Sequence, residues 1–331
     1  MRARAIVFAQ PFEIELREFE LPAPSAGEVL IQSAFTCISP GTELRRLRGK
    51  EALGAPRFPF IPGYCLAGTV LESGPETVLA PGTRVITCGT VYAEGLGLCE
   101  GGQTSHAVAP VETVVPIPDG VDFLDGSVAI LAGICYHGLL QSRPARNEKV
   151  AAIGLGAIGQ LAARLHALSG AEVIACDLNP SRVDISERAG VRSVVVAGSL
   201  SETYSTLFND GADVVVDSTG APPVILQAMK VLRQKPWNPL ADGGSCRYLV
   251  QGSYEDTFTV SYPDAYAAQV SILLPRGSQA SDWKAGLDLI AAGRLKVRDL
   301  VSEVARPEDA ASLYEELARP SSLLLTAAFQ W

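Results

Sequence analysis

Gly154, Gly156 and Gly159 stand in G-x-G-x-x-G spacing within the stretch AAIGLGAIGQLAARL. The chemistry of that spacing belongs to the backbone. Gly154 makes a tight turn, Gly156 lets the main chain approach a pyrophosphate, and Gly159 lets a helix pack closely on a strand. A helix opening here offers free N–H donors and its positive dipole end to phosphate oxygens. Asp177 follows Gly156 by 21 positions, where a carboxylate accepts from ribose hydroxyls and repels a 2′-phosphate. Leu155, Ala157 and Ile158 share the loop, and Leu178 follows Asp177. These residues form a candidate dinucleotide site that favours NAD over NADP. Arg182, five residues past Asp177, is the counter-signal, because it can pair with a phosphate.

A second stretch, CISPGTEL at 37–44, sets a cysteine beside serine, threonine and glutamate on what reads as a tight turn. Metal ligand, nucleophile and strand-end packing are all open to Cys37.

The elements that must carry these residues fall into two patterns. The first ~120 residues read as short strands rich in β-branched and aromatic residues, such as RARAIVFA, EVLIQSAFTCIS, LAGTVLES and TRVITCG. Pro-Gly, Ser-Gly and Asp-Gly pairs punctuate them, so a compact β-barrel-like domain is expected. From about residue 123, apolar runs alternate with helical segments: KVAAIG, EVIACD, RSVVVA, ADVVVDSTG, CRYLVQGSY and QVSILLPRGS. Continuous Val/Ile/Leu runs between helices predict a parallel sheet buried on both faces. The last run, SLLLTAAFQW, is expected to return to the first domain. The expected division is 1–131 with 279–331 against 132–278. DSTG and QGSY end strands at the carboxyl edge, where ligands bind in open α/β sheets. Ser218, Thr219 and Gly220 are therefore expected near the adenosine half of a dinucleotide, and Gly252 and Ser253 near the nicotinamide.

Composition narrows the function classes. The chain has 331 residues, 47% apolar and 19% charged, enough for two buried cores. Its net charge is −9 and no Lys/Arg run exceeds two, a poor profile for nucleic acid or an anionic membrane. No apolar segment reads as approaching the ~18 residues that span a bilayer, and the N-terminal apolar run is too short for a signal peptide. A cytoplasmic protein is expected. Seven widely spaced cysteines with no C-x-x-C argue against a disulfide framework or a zinc knuckle.

A β domain, a dinucleotide fold and a return to the β domain resemble the medium-chain dehydrogenase/reductase superfamily. AGEVLIQ, FPFIPGYCLAGTVLESG and APGTRV are similar to its N-terminal landmarks. The resemblance implies a GroES-like catalytic domain, a Rossmann cofactor domain and an active site in the cleft between them. Zinc members carry a cysteine, a histidine and a third catalytic ligand. In this sequence those positions fall on Ser39, Tyr64 and a residue near Leu131, which do not make a zinc site. A substitute cluster of Cys37, Cys65, Glu43 and His137 is the alternative. CISPGTEL, PGYC and LLLTAAFQW resemble a zinc-free branch that includes bacteriochlorophyllide 3-hydroxyethyl dehydrogenases and sequences tied to sugar or cyclitol oxidation. Cys37 and Cys65 depart from that branch's glycine and glutamate, which puts its substrate in doubt.

Without a metal, Ser39, Thr42, Glu43 and Tyr64 are the candidates to hold an alcohol or carbonyl oxygen and move its proton. Thr42 is also a candidate for binding the cofactor. Each has a plainer reading: Tyr64 as packing, Glu43 as a group that fixes its loop, Ser39 as a turn residue. His106 and His137 read as structural, and His166 as lying on a helix surface or against the sheet. The expected function is a zinc-independent, NAD-dependent dehydrogenase of a small secondary alcohol or ketone. It is expected to be a homodimer paired through the Rossmann edge strand. An NADPH-dependent enoyl or quinone reductase and a catalytically inactive cofactor-binding protein are the competing readings.

Overall fold

The computed structural model describes residues 1–51, 54, 56–234, 245–255 and 257–331. The loop at 235–245, to which the sequence assigns no role, lies outside them except for Ser245. The chain divides into two units, Met1–Gly133 with Ser278–Trp331, and Ile134–Gly277.

In the first unit, a seven-stranded sheet runs Val301–Ala305, Thr326–Gln330, Glu28–Cys37, Leu66–Ser73, Arg84–Thr87, Val115–Pro116, with His106–Pro110 also on Glu28–Cys37. A four-stranded sheet runs Glu13–Glu20, Arg2–Gln10, Phe60–Ile61, Gly97–Leu98. The strand Glu28–Cys37 shows how the sequence sets the layers. Val29 and Ile31 join a core with Leu66, Val70 and Val85. Leu30, between them, joins Ala5, Val7 and Val108. Successive side chains point to opposite faces, so one strand serves two cores. A third core gathers Phe8, Ile38, Phe60, Leu313, Tyr314 and Phe329. It seats the helix Ala310–Ala318 against the start of CISPGTEL.

That stretch is not a turn. Pro40–Leu47 is a helix with Ser39 at its N-cap and Pro40 in its first turn. Proline there has no N–H to lose and its fixed φ suits helix entry, so Ser-Pro was a start signal. Glu43 therefore stands on the first turns of a helix.

The second unit is a six-stranded sheet in the order Arg192–Val195, Glu172–Asp177, Lys149–Ile153, Val214–Asp217, Arg247–Val250, Ser271–Leu273. Every pairing is parallel. Strand order reverses between Lys149–Ile153 and Val214–Asp217, the doubly wound pattern whose switch point binds ligands. Ala151, Ile174, Val215 and Tyr248 are fully buried, as continuous apolar strands require.

One expectation needs correction. The helix Phe123–Ser142 has 20 residues and is long and apolar enough to cross a membrane. More than half of it is buried, which is the behaviour of a core helix that passes the same test. Gly133 lies against Trp283, where a Cβ would come within 2.6 Å of the indole, and Gly138 lies against Gln251.

Of the two places expected for His166, burial excludes the helix surface. It is fully buried on Ala157–Leu168, with Nδ1 2.7 Å from Ala162 O and Nε2 3.0 Å from Ser142 Oγ. The carbonyl can only accept, so Nδ1 carries the proton and Nε2 accepts. Burial lowers its pKa to about 4 from the ordinary 6.5. Between those values the unfolded chain binds a proton that the folded chain refuses. His166 therefore contributes a fall in stability on acidification from about pH 6.5 to 4, by up to about 1.4 kcal/mol per pH unit, opposed between about pH 7 and 4.5 by Glu43, whose raised carboxyl pKa adds stability as pH falls. Denaturant titrations across this window should show stability falling more on acidification in the parent than in His166→Gln. Equal slopes in both proteins would remove His166 as the cause.

Candidate functional site

Ser39 and Tyr64 meet in the first unit. Ser39 Oγ lies 2.5 Å from Tyr64 OH, and Thr42 Oγ1 lies 3.5 Å from the same phenol oxygen. The Ser39 hydroxyl does not cap its helix, although N-cap serines commonly do. Its N–H instead donates to Glu43 Oε1 at 2.7 Å, a reciprocal contact like one arm of a capping box. Ser39 is 4% exposed and Tyr64 is half-buried. Burial raises the Tyr64 phenol well above its ordinary value, with hydrogen bonds from Ser39 and Thr42 opposing the shift. The phenol is therefore neutral at physiological pH and able to donate.

Glu43 is fully buried. Its carboxylate takes the Ser39 N–H, the Tyr314 hydroxyl and Gln103 Nε2, the last at 3.1 Å. Burial pushes its carboxyl up to about 7 against these hydrogen bonds. It reaches Ser39 through a backbone N–H, which passes no proton to the Ser39–Tyr64 hydroxyls. Gln103 and Tyr314 are partners that sequence reading missed, since each is remote along the chain.

Cys37 and Cys65 are buried beside this cluster. Burial pushes the Cys37 thiol up to about 12 and the Cys65 thiol well above its usual range. Both thiols are protonated in this setting, which does not suit a nucleophile. Leu131, near the third ligand position, is fully buried. Among the described residues, no three His, Cys, Asp or Glu side chains are grouped to hold a metal. His106 Nδ1 is 3.1 Å from Ser105 Oγ, and His137 Nε2 accepts from Gln141 Nε2 at 3.0 Å.

In the second unit three loops converge. Gly154 has φ +85° and a Cβ there would come within 2.9 Å of Thr219 Cγ2. A Cβ on Gly159 would strike Gly154 O at 1.7 Å. A Cβ on Gly252 would come within 2.7 Å of Gly220 N, and one on Gly220 within 2.7 Å of Ser253 O. Gly154, Leu155, Ala157, Ile158 and Gly159 thus lie beside Ser218, Thr219 and Gly220, which meet Gly252 and Ser253. Asp217, unnoticed in the sequence, anchors the arrangement. It accepts from Thr219 N at 2.9 Å, Thr219 Oγ1 at 2.7 Å, Tyr248 OH at 2.7 Å and Tyr254 OH at 2.5 Å.

Two observations fit these loops to a dinucleotide. Gly156 is extended (φ −67°, ψ −177°), a conformation open to any residue, and nothing lies within 4 Å of the Cβ it lacks. The protein's own packing does not require glycine there, and the open space lets a ligand approach the backbone. Ser218 Oγ is buried and has no hydrogen-bond partner.

Asp177 holds Leu155 N at 2.6 Å and Asn179 N at 2.8 Å, leaving further lone pairs. Arg182 Nη1 lies 3.7 Å from it. Leu178 is largely exposed.

Known proteins agree with this architecture. Residues 25–119 match the family model "Alcohol dehydrogenase GroES-like domain", and 157–236 match "Zinc-binding dehydrogenase". The chain is 25% identical over 321 residues to 2-desacetyl-2-hydroxyethyl bacteriochlorophyllide A dehydrogenase of Cereibacter sphaeroides, covering 95% of this chain and 94% of that protein. It is 24% identical over 316 residues to 2-dehydro-3-deoxy-L-galactonate 5-dehydrogenase of Pseudoalteromonas atlantica, covering 89% of each. Among solved structures, it resembles a protein of Sinorhizobium meliloti 1021 classed as a zinc-binding dehydrogenase and bound to NADP (TM-score 0.83, 20% identity, 100% of both chains). It also resembles a short chain alcohol dehydrogenase of Escherichia coli CFT073 complexed with NADH (TM-score 0.84, 18% identity, 100% of this chain and 99% of that one). At these identities the structural likeness is one of fold.

Proposed function

Because the chain belongs to the medium-chain dehydrogenase/reductase superfamily, with GroES-like and Rossmann-type units, and is an oxidoreductase of the alcohol dehydrogenase type, we propose that it interconverts a secondary alcohol and its ketone with NAD and without zinc. The observation that carries this reading is the Ser39–Tyr64 hydroxyl pair, 2.5 Å apart, at two positions where zinc relatives bear metal ligands. Serine and neutral tyrosine are poor zinc donors, whereas a neutral phenol donates well to a carbonyl oxygen. The nicotinamide, when bound, supplies the hydride chemistry.

In the reduction direction, Tyr64 OH donates a proton to the substrate oxygen, the Ser39 hydroxyl steadies the phenolate left behind by hydrogen bonding, and the phenol regains its proton from solvent through Thr42. In oxidation the steps reverse: the phenol first gives its proton to solvent through Thr42, and the Tyr64 phenolate, held by the Ser39 hydroxyl, takes the proton of the substrate hydroxyl. Thr42, partly exposed, links the pair to solvent. Glu43 holds Ser39 in place. Gly154, Gly156 and Gly159 seat the pyrophosphate on the helix Ala157–Leu168, and Ser218 Oγ supplies an uncommitted donor. The substrate class is a sugar, cyclitol or bulkier secondary alcohol, supported by the activities named for the two relatives above.

A panel of such alcohols with NAD and NADP, read by formation of reduced nicotinamide, tests this, with metal analysis and chelator treatment in parallel. One tightly bound zinc per chain, or activity lost to chelation, sinks the zinc-free reading. Tighter binding of NADPH than NADH would favour the enoyl or quinone reductase alternative. A protein that binds NADH and turns nothing over would be a cofactor-binding module.

Cofactor choice gives a separate expected result. The Asp177 carboxylate repels a 2′-phosphate and engages Arg182. Asp177→Ser should raise the affinity ratio of NADPH to NADH by roughly tenfold or more, about 1.4 kcal/mol, by removing a like-charge contact and releasing Arg182. Fluorescence titration of both reduced cofactors reads it, and an unchanged ratio would deny Asp177 the role. The edge strand Ser271–Leu273 is proposed as the dimer contact, supported by exposed Tyr262, Tyr266 and Leu274 nearby. Light scattering of the intact protein would test it, and a monomer would reject it.

A further inference from the structure

We propose that Gln103 is the positioning residue that sets the Ser39–Tyr64 hydroxyl pair, by tying the backbone that carries each hydroxyl to the other. This role rests on the function proposed above. Gln103 is fully buried, and its main chain is anchored on both sides: its N–H donates to Pro62 O at 2.9 Å, and its carbonyl accepts from Ile6 N at 3.0 Å. The side chain then does two things. Its Cγ lies against Gly63, the residue before Tyr64, so closely that a Cβ on Gly63 would come within 2.6 Å. Its amide reaches the other segment, with Oε1 accepting from Thr36 Oγ1 at 2.6 Å and Nε2 donating to Glu43 Oε2 at 3.1 Å and toward Cys37 O at 3.4 Å. Glu43 in turn holds the Ser39 N–H.

The Trp331 end of this chain of hydrogen bonds dictates the amide orientation. Trp331 Nε1 can only donate, and it donates to Thr36 Oγ1 at 2.9 Å. The Thr36 proton must then go to an acceptor, which is Gln103 Oε1. With Oε1 turned to Thr36, the amide NH₂ faces Glu43 Oε2, which accepts from it. An acceptor toward Thr36 and a donor toward Glu43, on one short planar group, describe a carboxamide. A carboxylate or an apolar chain fills the space without satisfying both ends.

The test uses full-length protein with 13C-labelled tyrosine. The Cζ resonance of Tyr64, assigned by its loss in Tyr64→Phe, reports the hydrogen bond to Ser39 with or without turnover. Ser39→Ala should displace it, and Gln103→Met, of similar volume, should displace it in the same direction. Thr36→Val, which frees the amide, provides the same readout if Gln103→Met does not fold. With an alcohol found in the panel, Gln103→Met should lower kcat roughly 10- to 100-fold, as a misplacement of about 1 Å can, with the KM for cofactor unchanged. Gln103→Glu should regain kcat as pH is lowered, because its new carboxyl donates to Glu43 only when protonated. The proposal fails if Ser39→Ala moves the Tyr64 resonance while Gln103→Met and Thr36→Val leave it in place, or if Ser39→Ala leaves it unmoved. A wild-type protein that turns over no alcohol would defeat the proposed function while the resonance still decides the role of Gln103.

Discussion

Tyr64→Phe should fold and bind nicotinamide cofactor as the parent does, yet turn over its alcohol roughly 100-fold more slowly or worse, the usual scale for losing a positioned proton donor. The phenol oxygen has Ser39 Oγ at 2.5 Å and Thr42 Oγ1 at 3.5 Å as partners. Removing it takes away one hydroxyl and leaves the half-buried ring in place. The loss should therefore appear in kcat, with KM for cofactor little changed. Ser39→Ala should fall in the same direction by a smaller factor, because Tyr64 keeps its own proton for the first transfer. The double variant should be little worse than Tyr64→Phe, since residues acting as one unit are not additive. Steady-state kinetics on the three proteins check this. A Tyr64→Phe enzyme within a few-fold of the parent would return Tyr64 to its plainer role as packing.

Gly156→Val and Gly159→Ala make the second expectation, and their contrast carries it. Gly156 is extended, and the space its Cβ would enter is open. Gly156→Val should cost at most about 1 kcal/mol of stability, as an apolar residue in place of glycine at the helix N-cap. Its affinity for NADH should drop roughly 30-fold, about 2 kcal/mol, because the new methyls occupy the space a pyrophosphate needs. A Cβ on Gly159 would instead lie 1.7 Å from Gly154 O. Gly159→Ala must move the loop against the sheet and should cost about 1–3 kcal/mol of stability before any ligand is added. Thermal unfolding and cofactor titration on the same samples separate the two effects. Undiminished NADH binding by Gly156→Val would mean that the dinucleotide does not sit over this loop.

The glycine loop and CISPGTEL were legible to different degrees. Strand, glycine turn and helix are consecutive in Lys149–Leu168, so their geometry follows from residues that are neighbours in sequence. CISPGTEL held a helix start in Ser39-Pro40, but its run of small polar residues reads equally well as a turn. The apolar core behind it, including Leu47, Leu313 and Tyr314, favours the helix. His166 sits on a readable helix, but its burial depends on Ser142, 24 residues away.

By itself the sequence determined the glycine turn between strand and helix and the alternation of parallel strands and helices. These depend on local spacing, where side-chain period and turn chemistry act over a few residues. Only the tertiary structure decided what Glu43 does. Its carboxylate is committed to Ser39 N–H, to Gln103 60 positions on, and to Tyr314 271 positions on. A buried carboxylate must find its donors wherever the fold supplies them. That requirement, which no local pattern encodes, made Glu43 an anchor for the hydroxyl pair and brought Gln103 into the site.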